Sequence, residues 1–364
     1  MEAFKSRLSK HLAYDSYGDH QEYQHTIREQ AENQYSDTFL RKTLKFWVLP
    51  SNCLAVKTRI LRHIPEWRFD GKVSPSLEQS GSYSTSIYFD TSNYSLYNKR
   101  ILQYDGSMLF RYRWYGRKKC SMGFMEQKIR KEAWRGEASI KQRFQLDPNL
   151  VPHFFKSGKD VVPLKLPFIH QMHEDTLKWD GSLQHAIRTE YRRSVYQENN
   201  GAAVRISFDE DVELKDITAL TFAQALDPSI PVAPNRVFRF PLGILEVKLA
   251  FDTFEQIDSL QLPKWIYAMM DAGFIIQIDK FSKYCTGVCV MNHAKILRVP
   301  SWIKAVKQLM EIELGQKRND WLGVEPYQAT TEEVWNEIRA AIKLPKRTEP
   351  REYLANERTL IKWV

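Results

Sequence analysis

The feature of this sequence that most constrains its fold is an alternation of charged and apolar side chains in five short segments. The segments are residues 110–114, 125–129, 187–192, 204–209 and 245–249. Successive side chains of a β-strand point to opposite faces, so each segment is expected to form a strand with one charged and one apolar face. Arg and Lys dominate the charged faces. A negatively charged partner is therefore expected to lie against them.

Alternation alone fits two architectures. An antiparallel sheet that is packed on one side and wet on the other gives this pattern. A closed barrel would instead place the charges in its lumen and bury Leu245, Val247 and Leu249 beneath outer helices. A basic lumen is costly unless anions neutralise it, and the interleaved carboxylates supply only part of that neutralisation. A chain of phosphates held by Arg and Lys would supply the rest. The candidate lumen carboxylates are Glu126, Glu190, Asp209 and Glu246.

Composition narrows the class of protein. The 364 residues suffice for one large domain with extensions or for two smaller domains. A formal charge of +9, from 53 Lys and Arg against 44 Asp and Glu, favours an acidic or polyanionic partner. Four cysteines without a CxxC pair indicate reduced thiols and no structural zinc. Neither a P-loop nor a Rossmann glycine motif is present, so side chains must supply any phosphate binding.

Two further patterns predict local structure. Asp105-Gly106 predicts a hairpin turn between residues 96–104 and 108–115. The stretch 302–314 has the pattern of an amphipathic helix. The chain has no signal-peptide pattern and no apolar run long enough for a membrane helix, so an intracellular, soluble chain is expected.

Several motifs occur together in a characteristic order. They are Tyr88-Phe89-Asp90, Arg111-Tyr112-Arg113-Trp114, Trp134-Arg135-Gly136-Glu137, Val204-Arg205-Ile206-Ser207, Leu245-Glu246-Val247-Lys248 and Lys280-Phe281-Ser282-Lys283. The series, over roughly residues 40–300, resembles the catalytic domain of the vacuolar transporter chaperone (VTC) family. The resemblance implies an α+β triphosphate tunnel of the CYTH-like superfamily: a closed antiparallel β-barrel with a charged lumen and helices packed outside. It also implies a polyphosphate polymerase that transfers the γ-phosphate of ATP to a growing polyphosphate chain.

The resemblance also assigns roles to individual residues. It implies catalytic roles for Arg111, Arg113, Lys248 and Lys283, and a metal ligand at Glu246 for Mn²⁺ or Mg²⁺. It implies phosphate binding by a further set of basic residues: Lys45, Lys128, Lys141, Arg188, Arg205 and Lys280. Phosphoryl transfer depends mainly on positioning and charge neutralisation, so the absence of a plausible histidine base is consistent with this chemistry.

The resemblance divides the chain into four parts. A polar N-terminal extension, residues 1–37, lacks a match to the family's SPX domain and precedes a tunnel domain over 38–300. A helical extension over 301–350 is followed by 351–364, which resembles the start of a membrane module. The chain is therefore expected to be a fragment or a naturally short product. The implied partners are ATP, polyphosphate and other VTC subunits that anchor the chain to the cytosolic side of the vacuole or acidocalcisome membrane.

Three alternative functions remain open. Tunnel-fold triphosphatases tend to have more lumen carboxylates than the four candidates here. A non-catalytic, polyphosphate-binding accessory subunit would be expected to lose tunnel residues, whereas this set is complete. Nucleic-acid binding would favour an exposed basic stripe, whereas these basic residues alternate within strands. The polymerase is the preferred interpretation, without a nucleic-acid partner.

Overall fold

The computed structural model describes residues 40–67, 81–131, 140–156, 167–179, 182–197, 204–251, 261–278 and 280–314. The predicted extension 1–37, the motif at 134–137 and the membrane-module-like segment 351–364 lie outside the described residues. The predicted extension 301–350 is described only up to residue 314.

Ten strands form one antiparallel sheet within the described residues. The strands are β1 Leu40–Val48, β2 Ser82–Asp90, β3 Met108–Tyr115, β4 Gly123–Ile129, β5 Ile140–Leu146, β6 Gln184–Gln197, β7 Val204–Asp216, β8 Val237–Arg239, β9 Gly243–Phe251 and β10 Ile276–Ile278. Their spatial order is β10-β1-β9-β7-β6-β2-β3-β4-β5, and β8 pairs with β7 beside this path. All five alternating segments of the sequence therefore lie within strands.

The sheet is strongly curved but does not close, so the prediction of a closed barrel is wrong. In the described part of the chain, β5 pairs only with β4, and the three-residue β10 pairs only with β1. Among the residues that the structure describes, no ladder of hydrogen bonds joins these two edges. The curvature nevertheless brings distant strands face to face. Lys128 of β4 and Glu246 of β9 are close enough for each to shift the pKa of the other. The sheet thus has a concave and a convex face.

Helices cover the convex face, as predicted. The helices α1 Cys53–Leu61 and α6 Lys264–Asp271 pack over β1, β7 and β9, where Leu245, Val247 and Ile206 are fully buried. Three more helices and the residues around them cover β2 to β5: α3 Val151–Phe154, α4 Pro167–Leu177 and α5 Phe222–Ala225. Burial of these apolar side chains supplies most of the driving force for folding.

The remaining helices close one end of the concave side. They are α2 Ser95–Ile101, α7 Lys283–Met291 and α8 Trp302–Leu314, the last with the bounds predicted from sequence. Tyr284 and Val288 of α7 pack with Tyr88 and Ile187 of the sheet, while Val306 of α8 joins an adjacent apolar cluster. The side chain of Ser282 caps α7 by accepting a hydrogen bond from the backbone N–H of Cys285, which fixes Lys283 in the first turn.

The predicted hairpin around Asp105-Gly106 is wrong, because the residues before it form α2. The buried carboxylate of Asp90 accepts hydrogen bonds from the backbone N–H groups of Leu96 and Tyr97, both at 2.9 Å. These bonds satisfy donors that the first turn of a helix otherwise leaves unpaired. In the described part of the chain, no helix is both long and apolar enough to cross a membrane.

Candidate functional site

Within the described residues, we assign thirteen charged side chains to the open part of the concave face and call them the concave site. Strand register places most of them on one face: Lys45 lies opposite Glu246, Arg205 opposite Lys248, and Lys128 opposite Lys141. Ten members are basic and three are acidic. The full set is Lys45, Arg111, Arg113, Lys128, Lys141, Arg143, Arg193, Arg205, Lys248 and Lys283, with Glu126, Asp209 and Glu246.

One group within the site surrounds Glu126, which is 1% exposed. Arg111 Nε donates to Glu126 Oε2, and Lys141 Nζ lies 3.3 Å from Oε1. Burial opposes ionisation of this carboxylate, but Arg111 and Lys141 hold its pKa well below the ordinary range. Arg111 Nη1 also donates to the Tyr88 hydroxyl at 3.1 Å. Arg111 is thereby fixed facing the concavity.

Two lysines beside this group are electrostatically strained. Arg111, burial and Lys141 together lower the pKa of Lys128 well below its ordinary value. Burial and the neighbouring Arg111 lower the pKa of Lys141 to about 8, although 44% of its side chain is exposed within the open concavity. Like charges this close disfavour each other's ionised form. A bound anion would relieve the repulsion, so this end of the site is suited to phosphate oxygens.

A second group is centred on Asp209, which is 2% exposed. Arg193 Nε and Nη2 donate to its two oxygens at 2.5 and 2.7 Å, and Lys283 Nζ donates to Oδ2. The nearby Tyr191 hydroxyl accepts from Arg113 Nη2 at 2.6 Å. Burial raises the pKa of Tyr191, but Arg113 and the neighbouring cations bring it down to about 8.

Glu246 is held more loosely than the other two carboxylates. Its shortest ion pair, with Lys248 Nζ, is 3.3 Å long. Burial works against ionisation, yet Lys248, Lys45 and Arg193 keep the pKa of Glu246 far below its usual value. Lys45 lies opposite Glu246 in the register, and its Nζ donates to the Phe281 carbonyl at 2.7 Å. Glu246 is therefore ionised at neutral pH and less fully engaged than Glu126 or Asp209.

The donor set around Glu246 fits a divalent ion that is shared with a phosphate ligand. In the described residues, no group of three or more His, Cys, Asp and Glu could hold a metal ion. Mg²⁺ and similar ions commonly bind through one or two carboxylates together with substrate phosphates and water. Ser207 lies directly opposite Glu246, and its buried hydroxyl has no hydrogen-bond partner in the described ranges of the chain. The Glu246 carboxylate and the Ser207 hydroxyl are thus neighbours on the concave face of the sheet.

Arg188, predicted to bind phosphate, does not lie in the concave site. It is fully buried on the convex face, where its Nε pairs with Glu190 at 2.9 Å and its Nη1 donates to the carbonyls of Ala225 and Asp227. Glu190, predicted as a lumen acid, lies on that face too and also binds Lys215 at 2.8 Å. The reason is local: here the concave side of β6 packs against α7 through Ile187, which needs an apolar surface.

The other predicted site residues either lie in the concave site or are exposed outside it. Lys45, Arg111, Arg113, Lys128, Lys141, Arg205, Glu246, Lys248 and Lys283 are brought together in the concave site. Lys280 is exposed, and its Nζ donates at 2.6 Å to Gln103 Oε1, which follows α2.

Sequence reasoning missed Arg193 and Tyr191 as site residues. The adjacent pair Arg192-Arg193 was the available signal, since one of two successive strand residues must face the concavity.

Comparison with known proteins identifies the family. The VTC domain matches residues 40–292. Subunit 4 of the vacuolar transporter chaperone complex from Trypanosoma brucei brucei is 28% identical over 317 residues, covering 79% of this chain and 39% of that protein. Subunit 4 from Schizosaccharomyces pombe is 29% identical over 289 residues, covering 72% and 39%. Subunit 2 from the same yeast is 25% identical over 315 residues, covering 77% and 42%. The chain thus spans about two fifths of these relatives' length.

Solved structures give only remote likenesses. A protein from Pyrococcus horikoshii is 10% identical with a TM-score of 0.31, covering 66% of this chain and 94% of that one. A Hippeastrum protein described as having a dominant triphosphatase activity is 13% identical with a TM-score of 0.37, covering 68% and 95%. Neither likeness is close enough to carry an argument. The family match, in contrast, extends over most of the chain: the chain belongs to the VTC domain family.

Proposed function

We propose that this chain is a polyphosphate polymerase, which transfers the γ-phosphate of ATP to the end of a growing polyphosphate chain in the concave site. The observation that carries the proposal is the charge balance of that site. Two of its three carboxylates are engaged by strong ion pairs, while ten basic side chains surround them. An extended polyanion would neutralise these charges along the whole groove.

The residues of the site supply the positioning and charge stabilisation that phosphoryl transfer requires. Arg111 and Arg113 are fixed by Tyr88, Ser86 and Tyr191, so their guanidinium groups are preorganised to bind phosphate oxygens. Lys248 and Lys283 would stabilise charge on the transferred group and on the departing ADP. The terminal phosphate of polyphosphate is largely ionised near neutral pH, so the attack needs no general base.

A divalent ion, Mn²⁺ or Mg²⁺, would be held by Glu246 together with the substrate's phosphate oxygens. Bound there, it would withdraw charge from the phosphoryl group being transferred. Lys45 and Lys248 flank Glu246 and would contact the same phosphates from both sides. The site's own residues therefore bind and orient the nucleotide.

Product analysis tests the proposal. Purified chain incubated with ATP and Mn²⁺ is expected to form long polyphosphate, which gel electrophoresis resolves. Release of free phosphate alone would indicate a triphosphatase. Polyphosphate binding without turnover would indicate an accessory role, a possibility motivated by the similarity to subunit 2. Either result would overturn the proposed polymerase activity.

A pair of matched variants tests the role of Glu246. We expect Glu246→Gln to abolish synthesis while the chain remains folded, because it removes the anionic metal ligand. Glu174→Gln is the control, since that side chain is 50% exposed on α4, away from the concave site. Polymerisation assays should show full activity for the control. Wild-type turnover by Glu246→Gln would contradict the assignment.

The proposal extends to partners and location. The relatives are subunits of the vacuolar transporter chaperone complex, and we propose that this chain also assembles with other VTC subunits. Through them it would act at the cytosolic side of the vacuole or acidocalcisome membrane. Co-purification of tagged chain with such subunits tests this; recovery of the chain alone from a membrane extract would contradict it.

A further inference from the structure

Asp209 is a carboxylate inside the concave site to which the chemistry above gives no role. It is almost fully buried, and both of its oxygens accept hydrogen bonds from Arg193, at 2.5 and 2.7 Å. Lys283 at the start of α7 donates to the same carboxylate. One acid therefore holds two cations, which come from different elements of the fold.

The geometry around Lys283 is correspondingly restricted. Its Nζ lies 4.5 Å from the centre of the Tyr191 ring, in addition to its contact with Asp209. Burial would raise the pKa of Asp209, but Arg193 and Lys283 lower it to about 2, so the carboxylate is ionised at neutral pH. The amine of Lys283 is thus held in place between the Asp209 carboxylate and the face of the Tyr191 ring.

The same carboxylate has an opposite effect on a ligand. A fixed negative charge within a few ångströms of a phosphate group repels it, and the repulsion is strong where water is excluded. Asp209 also occupies hydrogen-bond donors of Arg193 that could otherwise bind phosphate oxygens. Its presence therefore weakens phosphate binding while keeping two cations in fixed positions.

We infer that Asp209 is a positioning residue that orients Lys283 and Arg193 for phosphoryl transfer and limits the affinity of the concave site for polyphosphate. The inference rests on the proposed polymerase function. A polymerase must let its product advance after each addition, and a groove with ten cations would otherwise hold a polyanion very tightly. Asp209 therefore lowers the affinity for polyphosphate while it fixes the positions of Lys283 and Arg193.

The isosteric variant Asp209→Asn separates the two effects. Calorimetric titration with linear polyphosphate, without nucleotide or metal, should show binding about tenfold tighter than wild type, because one repulsive charge is gone. The kcat for synthesis should fall by about tenfold, because Lys283 loses its ionic partner. A merely structural residue would instead weaken binding and turnover together.

Asp211→Asn is the matched control. Asp211 lies two residues away, and its substitution by Asn removes the same charge. Its side chain, however, is 60% exposed and pairs with Arg192 on the convex side. Its backbone φ of 53° suits asparagine as well as aspartate. We expect polyphosphate affinity and kcat close to those of wild type for this variant.

Asp209→Glu keeps the charge but moves the carboxylate, and it serves if Asp209→Asn does not fold. It should retain wild-type affinity and lose turnover. Unchanged or weaker polyphosphate binding by Asp209→Asn, or full turnover by Asp209→Glu, would overturn the inference. If the wild-type chain binds polyphosphate but synthesises none, the polymerase proposal fails, whereas the affinity comparison still decides whether Asp209 limits binding.

Discussion

The two faces of the sheet both bury charge, but they balance it differently. On the convex face, Arg188 has an ion pair with Glu190 and two backbone carbonyl acceptors, and Lys215 also binds Glu190. On the concave face, Lys128 lies among Arg111 and Lys141, and its pKa is lowered by both. The charges of the convex network are balanced by partners within the protein, although Arg188 Nη2 has no hydrogen-bond partner in the described part of the chain. The concave site has an excess of cations, which we propose that a bound anion neutralises.

This difference separates a structural cluster from a binding site, although both consist of Arg, Lys and Glu. A buried pair that satisfies itself contributes to a specific fold, and breaking it costs stability. A cluster of like charges destabilises the folded protein through repulsion, and a ligand of opposite charge relieves that repulsion when it binds. Substitutions on the two faces are therefore expected to have opposite consequences for stability and binding.

The largest expected effect is a loss of stability caused by a substitution on the convex face. Arg188→Met should lower the free energy of unfolding by about 3–5 kcal/mol, because Glu190 would be left as a buried charge with fewer partners. Polyphosphate affinity of the remaining folded chain should be unchanged. Urea denaturation measures the first quantity. Arg239→Gln, whose side chain is 81% exposed, is the control and should unfold like wild type. Comparable stability of Arg188→Met and the control would contradict the interpretation.

A concave substitution should have the reverse effect. Lys128→Met is expected to weaken polyphosphate binding by about tenfold, because one phosphate contact and its charge are lost. It should leave the free energy of unfolding unchanged or increased, because repulsion from Arg111 and Lys141 is relieved. Titration calorimetry and urea denaturation provide the two readings. A clear loss of stability without loss of binding would place Lys128 among the structural residues.

A smaller effect is expected from pH. The pKa of Lys141 is about 8 in the free chain, and a bound phosphate raises it because phosphate favours the ammonium form. Affinity for polyphosphate should therefore be constant below pH 8 and fall severalfold as pH rises above it. Binding measured from pH 6.5 to 9.5 checks this, with Lys141→Gln as the control in which the dependence near pH 8 is reduced, because the contribution of Lys141 is gone while that of Tyr191 remains. An affinity that rises above pH 8 would contradict the assignment.

Sequence alternation predicted much of the concave site, because on β3, β4, β7 and β9 the charged face is the one turned to the cavity. Alternation put Arg111 and Arg113 on β3 and Glu246 and Lys248 on β9 on the charged face, and the family resemblance then assigned them to the site. On β6 the same reasoning selected the wrong face. There the concave side meets α7, so the apolar residues face inward and Arg188 faces outward.

Other features depend on contacts that a sequence pattern does not contain. A bulge between Glu190 and Arg192 shifts the register of β6 against β7 and brings Arg193 opposite Asp209. The turn at Asp105-Gly106 looked like a hairpin, but Asp90, which lies before α2 in sequence, caps that helix instead. Closure of the sheet also could not be read from alternation, which is the same in an open and a closed sheet.

The central claim is that charge on the concave face, rather than overall basicity, binds polyphosphate. Titration calorimetry at physiological salt tests it most directly with two double variants of equal charge. Lys128→Gln/Lys141→Gln changes the concave site, whereas Lys178→Gln/Lys264→Gln changes exposed lysines at helices on the convex side. We predict that affinity falls by more than about tenfold in the first and stays within about twofold in the second. Equal losses in both variants would contradict the claim.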